Sequence, residues 1–433
     1  MHAALGHFTL LKVHTHEHGT RATIRIIDET PLTMLKSFIP DVLDRTMTLK
    51  DFESLAYKNL ALEPFTDLPF LRTIVTAMET FDSIGLRTAL KLFERLTNPY
   101  DTSLVITSPL YNFMSEVAAR GTASSDQITR HYAFKLFEQF LTKGHGYGQA
   151  LASASRAVLS TDKEIKTQAL ILLIKLVKQG QALSEALAIA QASTTDSYWG
   201  CKKSALDLLT ALVEKEFGIE EAIMIASCED LAESTDDCIQ RSFRDLIIAL
   251  VRKGRCYELA QQIANKQPDS ERKFTLWAAL VEQGQYLPQA LTAAVASTTS
   301  NDYRDRDQAL MLFSKLFEIE RGFEQALDAA KKCINGELSV YRGECTGLDL
   351  FGLLVEKGYY YEEAKAAAIA QSLVDDRMVI EHALKLFTRL VKKGQAIPEA
   401  RHAAMVHKDK DGEVKTLQKT LDRLAPEVME SDD

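Results

Sequence analysis

Apolar residues in the last third of the chain fall into one frame centred on Gly394. Ala383, Leu386, Phe387, Leu390 and Val391 precede it at offsets −11, −8, −7, −4 and −3. That is the i, i+3, i+4, i+7 rhythm of a single apolar helix stripe. Ile397, Ala400 and Ala404 follow at +3, +6 and +10, with Pro398 at +4. Glycine just past an amphipathic run ends a helix, because it takes the left-handed conformation a C-terminal cap needs. Proline suits the first turn of the next helix, where its missing N–H costs nothing. The pattern predicts helix, tight turn, helix.

The same frame fits Gly144, Gly180, Glu216, Gly254, Gly284, Glu320 and Gly358, with successive spacings of 36, 36, 38, 30, 36, 38 and 36 residues up to Gly394. Every unit is apolar at −8, −7, −4, −3 and +3, and every unit has Ala at +6 and +10, as in Ala186/Ala190, Ala222/Ala226 and Ala290/Ala294. The two units with Glu at the anchor place Gly218 and Gly322 two residues later, which predicts a re-cut turn. The first helix supplies bulky core groups, and the second supplies alanines that let a neighbour approach closely. Neither buries its stripe alone, so pairs must stack on pairs. The expected fold is all-α, a right-handed α-solenoid of about eight to ten helix pairs with a period of about 36 residues. Its expected divisions are a capping segment over 1–68, the repeat array over 69–412, and a capping helix with acidic tail over 413–433.

Helix pairs of this length, with a G-x-x-x-x-[EQ]-A turn and an Ala four residues on, resemble the tetratricopeptide-type α-solenoids, with HEAT-like and pentatricopeptide-like repeats as neighbours. The resemblance covers roughly 85–412. It departs from the tetratricopeptide pattern in lacking the Trp…Leu-Gly…Tyr set and the closing Pro. No binding residue is therefore carried over from it. The resemblance implies a protein-binding scaffold.

Residues 1–30 break the rhythm. Two β-branched, apolar runs, Phe8 to Val13 and Ala22 to Ile27, flank a polar stretch, predicting a β-hairpin with Gly19 in the turn. Alternation puts His14, His16 and His18 on one strand face, an arrangement a metal site uses, although a solvated strand end explains it more simply. No Cys or carboxylate cluster follows at zinc-like spacing. Residues 39–43 and 49–56 faintly resemble an F-box, which implies an adaptor role; the simpler reading is a cap over the first repeat. Residues 89–96 read as a degenerate first helix, and 121–126 as a loop.

Charge changes the picture modestly. A formal net charge of −9 weighs against general binding to nucleic acid or anionic membrane. The six cysteines form no C-x-x-C pair, which points to free thiols and a cytoplasmic, reducing setting. The N-terminus shows no basic segment followed by an apolar run, so no secretory signal is expected, and no window is apolar enough for a membrane span.

Candidate chemistry is thin. The glycine-rich 143–148 lacks the preceding strand a phosphate loop needs and sits on a repeat turn. The acidic run Glu229, Asp230, Glu233, Asp236 and Asp237 lacks a calcium loop's central glycine and reads as a solvated face. Tyr361 falls on the apolar +3 position, leaving Tyr359 and Tyr360 for a partner. No catalytic, cofactor-binding or metal-binding residue is assigned. The expectation is a non-catalytic scaffold or adaptor holding a protein or peptide, with specificity at the outward positions −9, −5 and −2. Lys135, Asp207, Asp245, Asp349 and Lys385 are examples at −9. The alternatives are a nucleic-acid-binding solenoid and an F-box-like adaptor.

Overall fold

A computed structural model describes the strands within 8–48, helical residues between 86 and 97, and 108–425 apart from 233, 268–269, 336–342 and 409–410. Strand β1 (Phe8–His16) pairs antiparallel with β2 (Gly19–Ile26), and β2 pairs with β3 (Met47–Thr48). The hairpin is as expected except at its tip: Gly19 pairs with His16 and so opens β2 rather than forming the turn. His14 and His16 share a register face of β1, while His18 lies outside the described residues, as do 39–43 and 49–56 with their F-box resemblance.

The helices are α1 (Ser108–Thr122), α2 (Gln127–Thr142), α3 (Tyr147–Ala157), α4 (Lys163–Lys178), α5 (Leu183–Ser193), α6 (Trp199–Glu214), α7 (Ile219–Ala226), α8 (Glu229–Ala232) and α9 (Asp237–Arg252). They continue as α10 (Tyr257–Lys266), α11 (Ser270–Glu282), α12 (Leu287–Thr298), α13 (Tyr303–Glu318), α14 (Phe323–Ile334) and α15 (Gly343–Lys357). The last are α16 (Tyr361–Ser372), α17 (Arg377–Lys392), α18 (Ile397–Val406) and α19 (Asp411–Leu424). Residues Met1–Ile225 with Thr235–Ser242 form one compact unit, and Ala226–Ser234 with Phe243–Asp433 form a second. Within each, first helices pack on first helices and second helices on second, as α4 does on α6 and α16 on α18.

Every one of the eight turns is built the same way. In the first, the Gly144 N–H donates to the Leu141 carbonyl and the His145 N–H to the Phe140 carbonyl, a Schellman closure. In the last, Gly394 donates to Val391 and Gln395 to Leu390. The anchor is left-handed throughout, including Glu216 (φ 61°) and Glu320 (φ 58°). A second left-handed residue sits at +2 in every unit: Gly146, Ala182, Gly218, Cys256, Tyr286, Gly322, Tyr360 and Ala396. Its carbonyl accepts the N–H of the alanine at +6 and starts the second helix. The Glu-anchored turns are therefore not re-cut. They place their glycine at the other of two left-handed sites, and seven of the eight turns hold one non-glycine residue there.

A left-handed L-residue costs roughly 1–2 kcal/mol, part of which glycine gives back as unfolded-chain entropy. Glu320→Gly is accordingly expected to stabilise the second unit by about 0.5–1 kcal/mol, and Gly358→Ala, at φ 95°, to destabilise it by at least as much. Urea unfolding of the two variants checks both signs.

First helices start from aspartates at −18. Asp126, Asp162, Asp236, Asp302 and Asp376 each accept a backbone N–H from their helix's first turn, as Asp126 does from Thr129 at 2.8 Å. Asp236 thus caps α9 rather than merely decorating a solvated face. The Thr129 hydroxyl, its backbone N–H and the Arg87 guanidinium hold the Asp126 carboxyl below the usual carboxylate range.

The core follows the sequence frame. No alanine at +6 or +10 is more than 4% exposed, and the bulky groups at −8, −7, −4 and −3 are buried. The +3 residues, Tyr361 among them, are only half-buried. Ala89, Leu90 and Phe93 are fully buried, so the degenerate first helix does contribute core. Among the described residues no helix is long and apolar enough to cross a membrane.

Candidate protein-binding face

Several outward charges of the first helices are paired within the chain, although the same helices also expose Ile171, Trp199, Tyr303 and Met311. In the first unit, Lys135 meets Glu94 at 2.5 Å, and Arg130 and Lys166 meet Asp162 and Asp196, in the loops ahead of α4 and α6, at 3.1 and 3.0 Å. The Glu94 carboxylate holds the Lys135 ammonium charged above the usual lysine range. In the second unit, Glu282 on α11 faces Arg252 at 3.6 Å and Lys315 at 3.4 Å. His382 of α17 lies 3.1 Å from Asp349 of α15, and Arg389 lies 3.1 Å from Glu356. Gly352 makes room for that last pair, since a Cβ there would sit 1.7 Å from an Arg389 guanidinium nitrogen.

All five −9 residues named from the sequence have side-chain partners: Lys135 with Glu94, Asp207 with Lys203, Asp245 with Arg244, Asp349 with the His382 ring, and Lys385 with Glu413. Exposed pairs of this kind contribute only about 0–1 kcal/mol each.

The turns carry aromatic stacks instead. Tyr359 is 43% exposed, yet it stacks on Phe323 with centroids 4.3 Å apart, and Phe323 stacks on Phe317 at 4.7 Å. His145 lies flat on Tyr111 at 3.9 Å, so 143–148 serves the turn and its packing. Cys201 and Cys333 are buried free thiols whose pKa burial pushes up, which suits core positions rather than nucleophiles. Among the described residues no three His, Cys, Asp or Glu side chains gather closely enough to hold a metal ion.

The second helices of the second unit present a different surface. Their outward stripe runs through +4, +8, +11 and +12. In α14 those positions are Glu324, Asp328, Lys331 and Lys332. In α16 they are Glu362, Ala366, Ile369 and Ala370, extended by Leu373; in α18 they are Pro398, His402, Met405 and Val406. Leu373 is 70% exposed, Met405 67% and Val406 53%. The two helix ends are tied by His407 Nε2, which lies 2.8 Å from the Ser372 carbonyl oxygen. Exposed apolar groups gathered like this are characteristic of protein–protein contact. Sequence reasoning missed them because isoleucine, leucine and methionine in a helix are first assigned to its core.

No family model matches the chain, and no curated protein matches it in sequence. Solved structures do match it in fold. Importin beta in an ammonium sulfate condition aligns with a TM-score of 0.57 at 11% identity, over 91% of this chain and 59% of that one. Yeast importin-beta (Kap95p) gives 0.55 at 14% identity, over 92% and 53%. Kap121p bound to the extreme C-terminus of the protein phosphatase Cdc14p gives 0.54 at 13% identity, over 90% and 45%. The fold is that of the HEAT-repeat α-solenoids. The chain spans about half the length of these karyopherins. The tetratricopeptide side of the resemblance gains no support from them.

Proposed function

We propose that the chain is a non-catalytic, cytoplasmic scaffold that holds a protein or peptide partner on the outward face of its second helices. The observation that carries this is the contrast between the two sides. Outward charges of α15 and α17 meet one another, whereas α16 and α18, side by side, leave Leu373, Met405 and Val406 largely in solvent. Solenoids of similar fold have been solved in complexes, Kap121p with the extreme C-terminus of Cdc14p and Kap95 with Nup1, which supports the reading by analogy of fold alone. Nucleic-acid binding is the second reading; the net charge of −9 opposes it.

Affinity capture with the full chain from its native lysate, followed by calorimetric titration of the purified captured protein, tests the proposal. A saturable one-to-one complex is the expected result. A chain that retains no protein, or that binds mixed oligonucleotides with affinity falling steeply as salt rises, overturns it.

A further inference from the structure

The apolar stripe of α16 and α18 has an acidic end. Glu362 and Glu363 lie in the first turn of α16 and Glu399 in that of α18. On these two helices the basic side chains are already directed: Lys365 bonds Glu362 at 2.5 Å, and Arg401 donates to the Ala425 carbonyl. The Lys365 ammonium is held charged above its ordinary range chiefly by Glu362, and α16 packs against α18. The His407–Ser372 contact ties the two helix ends. The surface therefore has carboxylates at one end, Ile369, Leu373, Met405 and Val406 at the other, and small Ala366 and Ala370 between them.

Nothing in the repeat frame demands this. The equivalent stripe in α14 is two acids and two lysines, with Lys332 paired to Asp328 at 2.7 Å, while the alanines behind it at +6 and +10 are the same. We infer that α16 and α18 together hold an amphipathic segment of a partner protein, its apolar side chains over Ile369, Leu373, Met405 and Val406 and its Lys or Arg side chains over Glu363 and Glu399. This rests on the scaffold reading above and assigns it a place and a partner chemistry. Apolar burial supplies the affinity, and the carboxylates set the orientation of the segment.

The test uses the full chain and a fluorescein-labelled amphipathic peptide with a leucine stripe and a Lys/Arg-rich end, read by anisotropy. Two control peptides carry Glu in place of Lys/Arg, or Ser in place of Leu. The basic leucine peptide is expected to bind and both controls to bind about tenfold or more weakly. Ile369→Ser with Met405→Ser is expected to abolish binding with an unchanged far-UV spectrum, since both side chains are exposed. Glu363→Lys with Glu399→Lys is expected to turn the preference toward the acidic peptide. Replacement of Met405 by photo-reactive p-benzoylphenylalanine then reports the occupant: cross-links to the peptide support the proposal. Cross-links to a second copy or to the chain's own termini overturn it, as does equal binding of the peptide by wild type and the serine variant. If the peptide fails while the captured partner still binds, the placement alone falls; if both fail, the scaffold reading falls with it.

Discussion

Gly347→Val is expected to destabilise the second unit by about 3 kcal/mol or more, which is at the upper end for overpacking. Gly347 lies buried in α15, against α14. A Cβ at this position would stand 2.9 Å from the backbone carbonyl oxygen of Ala330, 2.7 Å from Ile334 Cγ1 and 3.1 Å from the Cys333 Cβ. Two of those neighbours are a carbonyl and a first side-chain carbon, which move only if the helix moves. The two helices must separate, and contacts along the whole pair weaken together. Gly352→Ala on the same helix is the control. Its nearest neighbour is the far end of Arg389, which can swing aside at the cost of the Arg389–Glu356 pair, about 1 kcal/mol at most for a surface ion pair. Urea unfolding of the two variants, with hydrogen exchange across α14 and α15, separates them. Equal midpoints would mean that α14 and α15 do not meet as closely as these distances say.

The same contrast explains what the sequence discloses and what it hides. Alanines at +6 and +10 are legible because close helix approach tolerates almost nothing else, and all of them are buried. The left-handed anchor is legible through glycine. Its partner at +2 is not, because Ala182, Cys256, Tyr286, Tyr360 and Ala396 carry no preference for that conformation; tertiary packing imposes it. The aspartates at −18 repeat as visibly as the glycines, and aligning them would have given the helix starts. Strand β3 is two residues long and has no pattern to read. Three of the pairs at −9, those of Lys135, Asp349 and Lys385, hide for a different reason: their partners lie about one repeat away, so they appear only once neighbouring units are in register. Exposed Leu373 and Met405 hide because an apolar helix residue looks the same whether it faces core or water.

Trp277 of α11 offers a second large effect, with a size that depends on the replacement. Its side chain is 1% exposed, and among the described residues its buried indole Nε1–H has no hydrogen-bond partner. Trp277→Ala removes a large ring from the core and is expected to cost about 3–5 kcal/mol, the usual range for emptying such a site. Trp277→Phe keeps most of the apolar volume and deletes the stranded donor. An unsatisfied buried donor costs about 1–3 kcal/mol, while the void left by the smaller ring costs about 1 kcal/mol per methyl-sized gap. These terms oppose each other, so Trp277→Phe is expected to fall within about 1 kcal/mol of the wild type, on either side of it. Urea midpoints of the two variants measure the difference directly. If Trp277→Phe proves nearly as damaging as Trp277→Ala, the indole N–H must be satisfied in solution, most simply by a buried water held between α11 and its neighbours.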